Sequence, residues 1–238
     1  MRRVAVIVFP GSNCDAETRA AAAAAGCDAY YVWHRETDLR GADVVVLPGG
    51  FSYGDYLRAG AIARFSPALN AVTAHARAGG PVLGICNGFQ ILCEAGLLPG
   101  ALMRNAGLRF VSRPVRLRVE TTDTPFTHLY TVGEELVVPV AHGEGRYVAD
   151  ARTLAELAAE DRVVWRYLTN PNGSVDDIAG ICSAGRNVVG IMPHPERRDA
   201  PALGGNDGAR VFLSMEAGHA TQHAGGERPV GGGHHPGL

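Results

Sequence analysis

The sequence predicts a protein of the α/β class with a mostly parallel sheet. Residues 3–9 (R-V-A-V-I-V-F) form a continuous β-branched apolar run, the pattern of a strand that is buried on both faces. A strong helical segment follows at residues 15–25, and further strand-like runs occur at residues 29–33 and 43–47. Strands that alternate with helices over short connections are typical of βαβ units, whose strands lie parallel.

The second half of the chain changes character. Residues 113–119 alternate apolar and charged side chains, which predicts an antiparallel strand with one solvated face. We therefore expect antiparallel strands to be added to a parallel core. The other predicted elements are a helix opened by Ser66-Pro67 and ending at residues 79–80, a strand at 81–83, a helix ending near Gly96, strands at 135–140, 162–168, 178–182 and 188–192, and helices at 153–160 and within 204–217.

Length and composition indicate one globular domain. The chain has 238 residues, of which 46% are hydrophobic, and a formal net charge of −2. This charge favours neither a nucleic-acid nor a membrane partner, no apolar run approaches the ~18 residues of a membrane span, and no signal peptide is expected after Met1. Residues 1–222 are predicted to form the domain, and residues 223–238, rich in Gly, Pro and His, a disordered tail.

The cysteines and the absence of lysine exclude several chemistries. The five cysteines are scattered and lack the spacing of a metal knuckle or a C-x-x-C motif, so we expect free thiols, a cytoplasmic location and no metal site. The chain contains no lysine, which excludes a P-loop with its phosphate-binding lysine and any Schiff-base chemistry.

A G-x-C-x-G motif at residues 84–88 marks the candidate nucleophile. It lies between a predicted strand and a predicted helix, so Cys86 is expected at the apex of a nucleophile elbow, where a helix N-terminus stabilises negative charge on sulfur. Gln90 follows four residues later on the same helix face, and its amide could bind the molecule that Cys86 attacks. On this motif alone, a small buried cysteine and a backbone-satisfied glutamine are equally good interpretations.

Polar segments follow three other strands. Gly49 and Gly50 expose backbone N–H groups after the third strand, which suits an oxyanion or phosphate nest, although a plain tight turn has the same sequence. His142 and Glu144 lie in a polar loop and are either a catalytic pair or part of a ligand-contacting loop.

The third of these segments follows the last predicted strand. His194 is flanked by two prolines and lies two residues before Glu196, at the sheet edge where Cys86 is expected. A catalytic imidazole needs an acceptor that fixes its tautomer, and a nearby carboxylate provides one.

Together these motifs resemble those of the class I, or triad-type, glutamine amidotransferases. Within that class the chain is similar to the glutaminase subunits of phosphoribosylformylglycinamidine synthase, over residues 1 to about 222. The motifs that carry the resemblance are residues 9–15 (F-P-G-S-N-C-D), 48–60 (P-G-G-F-S-Y-G-D-Y-L-R-A-G), 84–90 (G-I-C-N-G-F-Q), 142–147 (H-G-E-G-R-Y), 170–174 (N-P-N-G-S) and 194–196 (H-P-E).

The resemblance implies a flavodoxin-like open sheet with helices on both faces and a set of functional residues. Cys86 would attack the side-chain amide of glutamine, His194 would move the proton to the departing ammonia, and Glu196 would orient His194. The resemblance also implies that backbone N–H groups bind the oxyanion and that a loop at residues 142–147 closes the pocket. The remaining implied residues are Gly50 and Asn87 for the oxyanion, and Gln90, His142 and Gly143 for substrate binding.

The resemblance further implies a partner that consumes the ammonia. No cofactor is expected on this chain, whereas ATP and magnesium are expected on a separate synthetase subunit that converts formylglycinamide ribonucleotide to the amidine in purine biosynthesis. A small subunit that bridges the two is also expected. Three other interpretations remain: a class I glutaminase that serves another synthetase, a cysteine hydrolase or glyoxalase-like enzyme on a related fold, and a non-catalytic subunit that kept the fold.

Overall fold

The apolar runs of the sequence form the strands of one large sheet. The structure is a computed structural model that describes residues 1–218, so the predicted tail at 223–238 lies outside the described residues. The domain boundary at residue 222 therefore stays a prediction. The strands are Arg3–Val8 (β1), Asp28–Trp33 (β2), Val44–Leu47 (β3), Val82–Ile85 (β4), Ala101–Met103 (β5), Val111–Val119 (β6), Glu135–His142 (β7), Arg146–Val148 (β8), Val163–Tyr167 (β9), Ile178–Cys182 (β10) and Val188–Ile191 (β11).

Five α-helices occur among residues 1–218. They are Asp15–Ala24 (α1), Pro67–Arg77 (α2), Asn87–Glu94 (α3), Ala151–Ala159 (α4) and Ala209–Ala217 (α5). Helix α4 begins two residues before its predicted start, because Asp150 accepts a hydrogen bond of 2.7 Å from the N–H of Thr153 and so caps the helix. None of the helices in the described part of the chain is long and apolar enough to span a membrane.

The sheet has nine strands in the order β2-β1-β3-β4-β11-β10-β9-β6-β7. Neighbouring strands from β2 to β11 are parallel, and those from β11 to β7 are antiparallel. The prediction of a parallel core with added antiparallel strands is thus confirmed. Strands β5 and β8 form a separate two-stranded sheet, which the short, mixed sequence of residues 101–103 did not reveal.

The strand order places a ligand-binding crevice at one end of the parallel core. From β1 the chain crosses to β2 on one side, whereas β3 lies on the other side of β1 and leads on to β4. Right-handed crossovers in opposite directions put α1 and α2 on opposite faces of the sheet. The carboxyl ends of β1 and β3 therefore diverge at a topological switch point, the usual position of ligands in open α/β sheets.

Close packing of α3 against β3 depends on Gly88. A Cβ atom at Gly88 would lie 2.0 Å from the backbone oxygen of Leu47, and neither backbone can move far in a buried core. We expect Gly88→Ala to lower the free energy of unfolding by about 3 kcal/mol, as overpacking does. Urea unfolding measures this change. Gly107→Ala is the control, because a Cβ there meets no atom within 4 Å, and an equal loss in both variants would contradict the packing explanation.

Candidate active site

Cys86 occupies a strained turn between β4 and α3. Its backbone has φ 50° and ψ −104°, a conformation that costs an ordinary residue about 1–3 kcal/mol and is concentrated at functional sites. Its N–H donates a hydrogen bond of 2.8 Å to the carbonyl of Ile191 in β11. The elbow is therefore fixed to the neighbouring strand, and the thiol is held at the carboxyl edge of the sheet.

His194 and Glu196 lie at the same edge because β11 pairs directly with β4. Nδ1 of His194 is 2.6 Å from Oε1 of Glu196, and both side chains are buried. The N–H of His194 donates to the carbonyl of Pro139 at 2.8 Å, which ties this segment to β7. Within residues 1–218, Nε2 of His194 has no nitrogen or oxygen partner, so this nitrogen is available to a reacting group.

The surroundings of His194 favour its protonated form. Burial opposes the charge, but the negative charges of Glu196 and Cys86 outweigh it, so the pKa of His194 is well above its ordinary value. A raised pKa means that the imidazolium persists to higher pH than it would in a free histidine. The ring can therefore carry a proton at neutral pH and stabilise a thiolate beside it.

Two cavities meet at Cys86. The first, of about 200 Å³, is lined by acidic groups (Asp55 and Glu144) together with Gln90. The second, of about 280 Å³, is lined by Asn13, Cys14, His194 and Arg197. Cys86, Gly50, Phe51, Phe110 and Ala141 border both cavities. The cysteine therefore faces two spaces of different polarity.

Gly50 and Asn87, the predicted oxyanion donors, lie near Cys86, and their contact with an oxyanion stays a prediction. Gly50 lies opposite Ser12 in an antiparallel β-bridge, and the hydrogen bonds of this bridge are made by the residues on either side of the pair. The N–H of Gly50 itself therefore takes no part in the bridge. Its φ of 149° and a distance of 2.7 Å from a built Cβ to Cα of Ser12 require glycine. Asn87 is the first residue of α3, where N–H groups have no partner within the helix.

The described residues contain one cluster with metal-like donors. Ligand atoms of Cys14, His194 and Glu196 lie within 4.8 Å of one another. Nδ1 of His194 and Oε1 of Glu196 are already joined by a hydrogen bond of 2.6 Å, which is the arrangement of a histidine–carboxylate pair. The absence of a metal site stays a prediction.

Comparisons with known proteins agree with this geometry. Residues 1–202 match the family model described as a CobB/CobQ-like glutamine amidotransferase domain. The chain is 62% identical over 216 residues to the phosphoribosylformylglycinamidine synthase subunit PurQ of Rubrobacter xylanophilus, covering 91% of this chain and 98% of the relative. The chain belongs to this glutamine amidotransferase family. The PurQ subunit of Frankia casuarinae is 59% identical, with 91% of this chain and 94% of the relative covered.

Solved amidotransferase structures agree on the fold. The structure of PurLQS from Thermotoga maritima contains a chain of 43% identity that superposes with a TM-score of 0.84, over 91% of this chain and 99% of that one. The glutaminase domain of a CTPS from Trypanosoma brucei superposes with a TM-score of 0.61 at 15% identity, over 91% of this chain and 93% of that chain, and shares the fold alone. The fold class predicted from the sequence is therefore confirmed.

Gln90 and Asn87 form a small polar network beside the amidotransferase elbow. The Gln90 amide donates to the carbonyl of Glu144 at 2.6 Å and accepts from Nδ2 of Asn87 at 2.8 Å. The Asn87 side chain also accepts from the N–H of Ser52 at 3.2 Å. Gln90 lines the first cavity with its amide already engaged, so it fixes the 142–147 loop, and its predicted contact with substrate stays a prediction.

His142 does not pair with Glu144. Its Nδ1 lies 3.1 Å from Oδ1 of Asn105, and its Nε2 lies 3.4 Å from Nδ2 of Asn172. Burial, and then the charge of His194, lowers the pKa of His142 to about 4, so the ring is neutral at physiological pH. Of the two interpretations of this loop, the structure favours ligand contact, because His142 and Gly143 line the first cavity.

The structure adds site residues that the sequence did not single out. Asp55 lines the first cavity, and burial, followed by the charge of Glu144, raises its pKa to about 6. Glu144 was predicted either as a catalytic partner of His142 or as part of a ligand-contacting loop, and it lines the first cavity. Cys14 lies beside His194 in the second cavity. All three residues lie inside motifs, at residues 9–15, 48–60 and 142–147, and this position was the one sign in the sequence of a role in the site. A motif does not show which of its side chains face a cavity.

Proposed function

We propose that this chain is the glutaminase subunit of a phosphoribosylformylglycinamidine synthase. It releases ammonia from the side-chain amide of glutamine, and a synthetase partner uses the ammonia with ATP to convert formylglycinamide ribonucleotide to formylglycinamidine ribonucleotide in purine biosynthesis. The observation that carries the proposal is the strained Cys86 beside the buried His194–Glu196 pair, in a chain 62% identical to a PurQ subunit. The sequence's other interpretations lack this combined support.

The proposed reaction has two halves, formation and hydrolysis of a thioester, and Cys86, His194 and Glu196 act in both. The Cys86 thiolate attacks the amide carbon of glutamine, and the oxyanion that forms accepts hydrogen bonds from the N–H groups of Gly50 and Asn87. The His194 imidazolium donates its proton to the departing ammonia, which leaves a γ-glutamyl thioester. Neutral His194 then takes a proton from water, whose oxygen attacks the thioester and releases glutamate. Glu196 holds Nδ1–H and stabilises the imidazolium throughout.

The first cavity suits the amino-acid end of glutamine. Asp55 and Glu144 place two carboxyl groups in its lining, which complements the α-ammonium group. The backbone of Gly143 and the neutral ring of His142 border the same cavity. Gln90 supports them through its hydrogen bond to the carbonyl of Glu144.

Removing the charge of Asp55 is expected to weaken glutamine binding. We expect Asp55→Asn to raise the KM for glutamine about 10-fold with little change in kcat, since the lost contact is made equally to the bound substrate and the transition state. The KM of the unaltered protein should rise as pH falls below about 6, because Asp55 is then protonated. Steady-state kinetics of the assembled complex measures both effects. Asp28→Asn, an exposed change on β2, is the control, and an unchanged KM in Asp55→Asn would contradict this placement.

Partners and cofactors follow from the same proposal. The proposed partners are a synthetase subunit, which supplies the ATP and magnesium sites, and a small bridging subunit, and this chain binds no cofactor. The PurLQS assembly of Thermotoga maritima and the PurQ name of the relatives support the partner subunits. The proposed location is the cytoplasm, and the five free cysteines are consistent with it.

Reconstitution tests the proposed coupling. The chain is mixed with the synthetase and bridging subunits, ATP, magnesium, formylglycinamide ribonucleotide and glutamine, and both glutamate and the amidine product are measured. We expect equal amounts of the two products, and slow glutamate release from the chain alone. Glutamate release by the isolated chain at the full rate of the complex would refute the coupling, and no glutamate under any condition would refute the glutaminase itself.

A further inference from the structure

Cys14 connects three parts of the site but has no role in the proposed reaction. It directly precedes α1 and is 1% exposed. Its N–H donates to the carbonyl of Gly49 at 3.2 Å, next to the residue that provides the proposed oxyanion donor. Its thiol accepts a hydrogen bond of 2.9 Å from Nη2 of Arg197, the residue after Glu196.

The thiol of Cys14 also lies against the catalytic ring. A Cβ atom added at Gly49 would be 2.7 Å from Cε1 of His194 and 3.1 Å from Sγ of Cys14, so both groups border the same small space. Sγ of Cys14, a ring nitrogen of His194 and an oxygen of Glu196 lie within 4.8 Å of one another. The imidazole is therefore enclosed by Glu196 on one side and by the two thiols of Cys14 and Cys86 elsewhere.

The size and chemistry of a cysteine fit this position. A larger side chain would press on Gly49 and His194, in a region where no methyl group can be added at Gly49. Alanine would remove the acceptor for Arg197 and leave a gap beside the ring. Serine would keep an acceptor, although its shorter C–O bond would place it farther from Arg197 and His194.

We propose that Cys14 is a positioning residue that, through its contacts with Arg197 and Gly49, holds the His194 ring and the Gly50 N–H in place around Cys86. This inference rests on the proposed function, because it assigns a role within that reaction. The groups that face His194 are Glu196, Cys86, His142, Cys14 and, through Cys14, Arg197. Among them Cys14 is hydrogen-bonded to Gly49, the residue before the Gly50 oxyanion donor.

The test compares Cys14→Ala, Cys14→Ser and Arg197→Leu in the assembled complex. We expect Cys14→Ala to lower kcat about 10-fold and to change the KM for glutamine less than about twofold. The loss of one hydrogen bond beside a charged group raises the activation barrier enough to slow the reaction about 10-fold. Cys14→Ser should recover most of the rate. The double variant of Cys14→Ala and Arg197→Leu should be no slower than the slower single variant, because both remove one linkage.

The pH profile separates positioning from a loss of structure. The Cys14 thiol helps to raise the pKa of His194. In the pH–rate profile of Cys14→Ala, the fall in rate that accompanies loss of the His194 proton should therefore occur at lower pH. Cys27→Ala is the matched control, a buried cysteine that follows α1 at its other end, and it should leave kcat and the profile unchanged.

Three results would overturn the inference. They are an unchanged kcat and pH profile in Cys14→Ala, a double variant whose rate loss is the product of the single losses, or an equal shift in Cys27→Ala. If Cys14→Ala does not fold, the Cys14→Ser and Arg197→Leu variants carry the same test through their pH profiles. Failure of the proposed function is distinguishable, because the unaltered protein would then produce no glutamate from glutamine.

Discussion

Cys86→Ala is expected to abolish glutamine-dependent synthesis while leaving ammonia-dependent synthesis intact. In the proposed mechanism the thiolate forms the covalent intermediate, and among residues 1–218 no other thiol lies at the elbow between the two cavities. Glutamate release by the complex should therefore fall by about 10⁴-fold or more. The partner's active site does not use this cysteine. Ammonium chloride should therefore support amidine formation at the same rate with Cys86→Ala and with the unaltered protein.

A matched control comes from the same helix. Cys93 lies on α3, with its thiol 3.8 Å from the carbonyl of Pro99, and burial raises its pKa well above the ordinary value. Such a thiol is inert, so Cys93→Ala should retain glutamine-dependent turnover. Glutamine-dependent amidine formation that survives Cys86→Ala would exclude the thioester mechanism.

Glu196→Gln should produce the second-largest loss. The amide keeps the size of the side chain but cannot stabilise an imidazolium at 2.6 Å, and it can hold His194 in the wrong tautomer. We expect kcat to fall about 10⁴-fold with little change in the KM for glutamine. Because the negative charge of Glu196 raises the pKa of His194, the pH at which His194 loses its proton should also move to lower pH.

The measurement is a pH series of glutamate release by the complex. Glu156→Gln serves as the control, since Glu156 is a partly exposed residue of α4 that pairs with Arg152 away from the site. Its rate and profile should match those of the unaltered protein. A Glu196→Gln variant with a full rate would show that the carboxylate has only a structural role.

The sequence predicted most of the fold because the relevant signals are local. Continuous β-branched runs identify β1 and β3, which are buried on both faces, and alternation identifies β6 as a strand with one exposed face. The pairing of β9, β6 and β7 with the parallel core depends on contacts between distant segments, and no local pattern encodes it. Strands β5 and β8 are three residues each, too short for periodicity to detect.

The candidate site was predictable where a motif and its position in the topology agreed. Cys86, His194 and Glu196 each follow a strand that ends at the same edge, so their proximity follows from the parallel order. Asp55 and Cys14 could not be assigned from the sequence, because their roles depend on which side chains face a cavity formed by separate loops. His142 was ambiguous for the same reason, since its partners Asn105 and Asn172 are distant in the chain.

Alkylation by the glutamine analogue diazo-oxo-norleucine, read out by peptide mass spectrometry, tests the central claim most directly. The assembled complex with bound formylglycinamide ribonucleotide is treated with the analogue, and the modified peptide is identified. We predict one adduct per chain, on Cys86, that glutamine suppresses and that His194→Asn slows strongly. An unmodified Cys86, or an adduct that forms only on another cysteine, would contradict the assignment of Cys86 as the glutaminase nucleophile.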